Sequence, residues 1–184
     1  MKCKYVVDTS VILRRAPHQY YDEESFPIHW SNFDKLIECG DIISTDLVKN
    51  ELLKKDDNLK DWVEKYNYMF KELDSNVAFV LNELSNMFKG WYEFNSKKYA
   101  ADPEVIAMAK AYNLVLVTQE SYNGNAKSEK NFKIPTICEK IGAQCIINDM
   151  HNSYVHNKEN FDFECICFSE LIKREQLHNP SKFK

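Results

Sequence analysis

The sequence predicts an α/β protein, a three-layer α/β/α fold around a central parallel sheet of about four to five strands. Three observations predict it. Short apolar runs (Tyr5-Val6-Val7, Ile42-Ile43, Leu114-Val115-Leu116-Val117, Cys145-Ile146-Ile147) are each a strand's length and end at polar or turn residues. Stretches with apolar residues at helical spacing lie between them. Strands that lack a polar face suit a parallel sheet covered by helices on both sides.

In order, Cys3 to Val7 reads as a buried first strand ending at Asp8. Phe26 to Cys39 carries Trp30, Phe33, Leu36 and Ile37 on one helical face, and Gly40 stops it. Asp41-Ile42-Ile43 is a second strand, after which Ser44 or Thr45 caps a helix running to about Lys55. Asn58 to Leu73 and Ser75 to Phe88 read as two further helices, and Tyr92 to Ala100 as an aromatic, basic connection. In "ADPEVIAMAKAYNLVLVTQE", Asp102 is the expected N-cap and Pro103 the first helical residue. The third strand, Leu114 to Val117, follows. Ser121 to Lys133 is a polar loop, Pro135 to Ile141 a short helix closed by Gly142, and Gln144 to Ile147 a fourth strand. Residues 148–165 are expected to be an insertion, outside the catalytic core, before a closing helix in "FSELIKREQL".

A chain of 184 residues suits a single domain. Hydrophobic residues at 44% and charged residues at 28% exclude wholesale disorder. The net charge of −4 gives no support to binding nucleic acid by bulk positive charge, although a local basic strip or a divalent metal could supply the attraction. Six cysteines form no CxxC and read as free thiols. No signal-peptide pattern and no membrane-spanning apolar run is present, so a reduced, cytoplasmic protein with no membrane contact is expected.

Ligands of parallel sheets bind off the carboxyl ends of the strands. Asp8 and Glu120 fall there. Glu51 sits by Leu47, Val48 and Leu52 on the inward face of its helix, and Asp102 begins the helix that feeds the third strand. Each acid has a bland alternative: Asp8 and Asp102 as helix caps, Glu51 as a boundary residue, Glu120 as a loop acid. Their conjunction from four separate segments favours a shared pocket. Several carboxylates in one pocket repel unless a cation lies between them, and Mg²⁺ or Mn²⁺, with hard oxygen ligands, answers that need. Such a metal activates water and steadies a phosphoryl oxygen, which is phosphodiester hydrolysis.

Together "VVDTSVIL", the inward Glu of "LVKNELLKK", "ADPEVIAMAKAYNLVLVTQE" and "KIPTICEKIGAQCI" resemble a PIN domain, in a PIN-like subgroup related to the VapC-like toxins of toxin–antitoxin pairs. The likeness spans roughly residues 4–147. It implies a Mg²⁺- or Mn²⁺-dependent endoribonuclease with Asp8, Glu51, Asp102 and Glu120 as catalytic metal ligands and Ser10 as a supporting hydroxyl. It also implies an RNA substrate, a cognate antitoxin that masks the acidic site, and a homodimer. Two departures stand out: Glu replaces the usual Asp in Thr118-Gln119-Glu120, and residues 148–165 have no counterpart in the pattern.

Lys127, Lys130 and Lys133, in the loop after Glu120, are candidate phosphate contacts against a solvated-loop alternative. A catalytically degenerate PIN-like module for RNA binding or protein interaction is the non-enzyme alternative, although all four positions remain acidic. A HAD-type phosphatase would need a second acid two residues after Asp8, where Ser10 stands; a receiver domain would need an acidic pair and a late Lys that are not convincingly placed. His151 and His156 read as solvated loop residues. Trp30, Trp62 and Trp91 read as core or boundary residues, with base stacking by Trp91 and Tyr92 the lesser alternative.

Overall fold

Val6 and Val7 are fully buried, and the strand they form, β1 (Tyr5–Val7), lies at the middle of the sheet. It pairs in parallel with β2 (Ile42–Thr45) on one side and β4 (Val115–Thr118) on the other. Beyond β2 lies the two-residue β3 (Phe70–Lys71), also parallel. Beyond β4 come β7 (Glu164–Cys167), β5 (Gln144–Asn148) and β6 (Ser153–His156). The order is β3-β2-β1-β4-β7-β5-β6, and only β6 runs antiparallel to its neighbour. The computed structural model describes residues 3–55, 59–98, 101–148, 153–156 and 159–183.

The helices flanking this sheet complete a three-layer α/β/α fold. Among the described residues they are α1 (Thr9–Ile12), α2 (Pro27–Glu38), α3 (Asp46–Lys55), α4 (Lys60–Lys65), α5 (Ser75–Met87), α6 (Lys89–Lys98), α7 (Ala101–Tyr112), α8 (Ile134–Lys140) and α9 (Phe168–Arg174). The α7 helix packs on β1, β2 and β4, and α8 packs on β5 and β7. The α2 and α9 helices meet through Trp30 and Phe168, whose rings stack at 5.1 Å. Arg15, buried behind the end of α1, lies between the Trp30 and Trp62 rings and donates to Asp34 Oδ1 at 2.7 Å. Trp30 and Trp91 are fully buried and Trp62 partly so, as core and boundary residues.

Two glycines turn helices back into strands. Gly40 takes φ +77° after α2, and the Asp41 N–H then reaches Leu36 O at 2.9 Å. Gly142 takes φ +103° after α8, and the Ala143 N–H reaches Cys138 O at 2.9 Å. Both use a left-handed backbone that glycine adopts without strain. The reversals deliver β2 and β5 to the sheet. The cysteines are thiols rather than disulfides, and Cys138, Cys145, Cys165 and Cys167 are buried. No helix among the described residues is long and apolar enough to cross a membrane.

Four expectations need correction. The sheet has seven strands, not four or five. The segment read as one helix from Asn58 to Leu73 breaks after α4, where Tyr66, Met69 and Phe70 turn inward and β3 joins the edge. Of the expected connection from Tyr92 to Ala100, the residues up to Lys98 fall within helix α6, and residues 99 and 100 lie outside the described ones. Trp91 anchors that helix, fully buried with its indole N–H on Phe132 O at 3.1 Å. Asp102 is not the N-cap: α7 starts at Ala101, and Asp102 lies in its first turn.

Residues 148–165 also do more than interrupt. Residues 153–156 add the edge strand β6, and Glu164 and Cys165 open β7, which stands between β4 and β5. Phe163 and Cys165 are buried. Replacing 148–165 with a short Gly-Ser linker removes half of a central strand and two core side chains. The expected outcome is loss of soluble protein and of a cooperative thermal transition by circular dichroism, with a large fall in stability from the lost core packing.

Candidate metal centre

Asp8 sits where β1 ends. Its N–H continues the ladder to Val117 O at 3.0 Å, so the sheet itself fixes where the carboxylate emerges. The side chain caps α1: Oδ2 accepts from the Ser10 N–H at 3.2 Å and from the Ser10 hydroxyl. The Thr118 hydroxyl at the end of β4 donates to the same oxygen at 3.1 Å. Asp8 is therefore both a cap and a member of the acid cluster, and the two readings coexist. The Ser10 hydroxyl accepts in turn from the Gln119 N–H at 2.9 Å, tying the turn after β1 to the turn after β4.

Glu51 reaches the same place from α3. Its Oε2 accepts from the Thr9 hydroxyl at 2.7 Å, and its Oε1 from the Ala101 N–H at 3.3 Å. One carboxylate thus bridges the residue after Asp8 and the residue before Asp102. The Glu120 N–H donates to Thr118 Oγ1 at 3.1 Å, which closes the circuit on the β4 side. The four acids are brought together, and their charges act on one another. Burial, then the charges of Asp8, Glu120 and Glu51, hold the Asp102 carboxyl well above the usual carboxylate range, with Lys133 opposing. Burial and the charge of Glu120 push Asp8 up to about 6, against the lowering by the Ser10 hydrogen bonds.

The oxygens differ in how far they are engaged. Glu120 accepts from Lys133 Nζ on Oε1 at 2.9 Å and from the Ile134 N–H on Oε2 at 2.8 Å. Neither Asp102 oxygen nor Asp8 Oδ1 receives a hydrogen bond from the described residues. Gln119 Oε1 is the one buried side-chain oxygen or nitrogen without a hydrogen-bond partner among the described residues. Among the described residues, no three His, Cys, Asp or Glu side chains stand close enough to grip an ion as they are. The donor set nonetheless suits a hard divalent cation that keeps some of its water: carboxylate oxygens only, several unengaged, in mutual repulsion.

Of the candidate phosphate contacts, Lys133 lies at the acids, while Lys127 and Lys130 are exposed on the loop and no hydrogen bond or ion pair ties them to the cluster. Sequence reasoning missed Thr9 and Thr118 as the hydroxyls that hold Glu51 and Asp8. Their signal was position, each directly beside a strand end. His151 lies outside the described residues, and His156 is a half-buried residue of β6.

Fold and site together define an α/β/α protein with a cluster of mutually repelling acids at the carboxyl ends of parallel strands. The chain belongs to the family described as Domain of unknown function (DUF4411), whose model matches residues 5–153. No curated protein and no solved structure matches it.

The raised pKa values predict how stability depends on pH without metal. In the unfolded chain Asp8 loses its proton near 3.8, but in the fold only near 6. Its contribution is therefore complete below about pH 4 and is lost as pH rises through 6, by up to about 3 kcal/mol. Asp8→Asn removes that dependence and keeps an oxygen for the cap. In urea titrations with EDTA, the variant should match the wild type near pH 4 and exceed it at pH 7. A variant weaker than the wild type at both pH values would show the cap dominating.

Proposed function

We propose that the protein is a metal-dependent endoribonuclease that hydrolyses RNA phosphodiester bonds with Mg²⁺ or Mn²⁺. The observation that carries the reading is the convergence of Asp8, Glu51, Asp102 and Glu120, from four segments, into one mutually repelling cluster at the strand ends. Asp8 and Asp102 would hold the ion through their open oxygens, and Glu51 and Glu120 would complete the set. The bound ion would supply an activated water and a counter-charge for the phosphate. The chain's own contribution is placement. Ser10 and Thr118 orient Asp8, Thr9 orients Glu51, and Lys133 stands at the rim as a point charge for a phosphate oxygen.

The resemblance to PIN-domain toxins extends the proposal to a biological role: the toxin of a toxin–antitoxin pair, acting in the cytoplasm, masked by a cognate antitoxin and assembled as a homodimer. A basic side chain from such a partner would satisfy Asp102, the acid with no hydrogen bond or ion pair among the described residues.

Cleavage of a structured RNA should require Mn²⁺ or Mg²⁺ and stop with EDTA. Asp102→Asn should lower kcat at least about a hundredfold while the melting curve without metal stays equal or rises. Activity that survives chelation, or an unaffected Asp102→Asn enzyme, would refute the proposal.

Glu120→Gln separates two roles for the most engaged acid. As a metal ligand its loss weakens Mn²⁺ binding in a calorimetric titration. As the residue that holds Lys133, its loss leaves Mn²⁺ affinity unchanged and raises KM for RNA. We expect the first, with kcat falling by more than KM rises.

A further inference from the structure

A cavity lies at the other end of α7 from Asp102. Asp102 is in the first turn of that helix, and Met108 and Tyr112 are in its last two turns. The ten residues from Asp102 to Tyr112 rise by roughly 15 Å along the axis. Met108 and Tyr112 line a cavity of about 470 Å³. Small-molecule sites run from roughly 300 to 1,000 Å³. The floor is apolar: Met108 and Leu114 are buried, and Ile43 packs beside them against the core. The Cys3 thiol in the wall is already engaged as a donor, with Sγ 3.3 Å from Asp41 O and 3.4 Å from Tyr5 O.

The rim is charged. Asp74 is occupied as the N-cap of α5: its Oδ1 accepts from the Asn76 and Val77 N–H groups, each at 3.0 Å, and its Oδ2 from the Tyr112 hydroxyl. Lys71 and Glu72 are not so occupied. Lys71 Nζ gives one proton to Tyr68 O at 2.8 Å, which leaves two of the three ammonium donors. Burial raises the Cys3 thiol pKa most and the Lys71 charge opposes it, so the ammonium stands near the cavity wall. Glu72 is exposed, and no hydrogen bond or ion pair engages its carboxylate among the described residues. No ion pair joins Lys71 to Glu72 or to Asp74.

An apolar floor thus lies beneath one cation and one anion that do not pair with each other. A simple anion at Lys71 would also face Glu72, and a simple cation at Glu72 would also face Lys71. A ligand with both charges at one end and an apolar body at the other meets floor and rim together. We propose that the cavity binds a small amphiphilic zwitterion of the kind an apolar α-amino acid exemplifies, with its carboxylate on Lys71, its ammonium on Glu72 and its side chain over Met108 and Leu114. The site goes beyond the nuclease reading and does not depend on it.

The probes are L-phenylalanine, 3-phenylpropionate and 2-phenylethylamine, which share one apolar body and carry both charges, the carboxylate alone or the ammonium alone. Each is titrated into the full chain and followed by NMR at the Met108 methyl group. L-Phenylalanine should give a saturable shift and bind about fivefold more tightly than either analogue. Lys71→Gln should lower its affinity to that of the amine, and Glu72→Gln to that of the acid. Both side chains are on the exposed rim, so the variants should melt as the parent does. An unmoved Met108 signal, either analogue binding as tightly as L-phenylalanine, or variants that bind it as the parent does overturns the proposal. Cleavage of RNA by the wild type with Mn²⁺ judges the nuclease reading separately.

Discussion

A buried carboxylate at the end of the middle strand is the constraint around which the molecule is arranged. Asp8 cannot move away from its neighbours, because its own backbone N–H is part of the β1–β4 ladder. Its charge is managed locally instead. Hydroxyls from Ser10 and Thr118 point at it, α1 begins on it, and the strand that carries Thr118 also delivers Glu120. The cost of desolvating several acids is only partly offset, since hydrogen bonds lower the Asp8 pKa while burial and Glu120 raise it further. A protein that needed only stability would have little reason to keep Asp102 in the same place with no hydrogen-bond donor among the described residues.

The legible parts of the fold were those whose cause is local. Runs such as Tyr5-Val6-Val7 and Leu116-Val117 are fully or nearly fully buried, so their composition alone marks them as strands. Gly40 and Gly142 announce where helices end because few other residues take that backbone without strain. What escaped depends on distant partners. The β3 strand is two residues long and exists because Ser44 and Thr45 stand beside it. The β7 strand, Glu-Cys-Ile-Cys, looks like the tail of a polar insertion until β4 and β5 are seen flanking it. Helix α6 is fixed by Trp91 reaching a carbonyl forty-one residues away.

The same division holds at the site. The four acids were readable because strand ends and an inward helix face are positions a sequence reveals. The pairing of Glu120 with Lys133 was not, because it needs the intervening loop to fold back and present both the ammonium and the Ile134 N–H. That loop is itself stitched by Asn123, which accepts from the Lys133 N–H at 2.9 Å and donates to Asn131 O at 2.7 Å. Polar loop composition gives no hint of such order, since the same residues would also serve a solvated segment.

The position of β7 carries a consequence for how the protein comes into being. Family similarity runs to residue 153, yet the strand that joins the β4 half of the sheet to the β5 half comes afterwards, at Glu164–Cys167. During synthesis, all four acids and every earlier strand leave the ribosome while the middle of the sheet still lacks a member. Until that strand arrives, β4 and β5 each present an open edge. The arrangement around the acids would thus be complete only once the last strand closes the sheet.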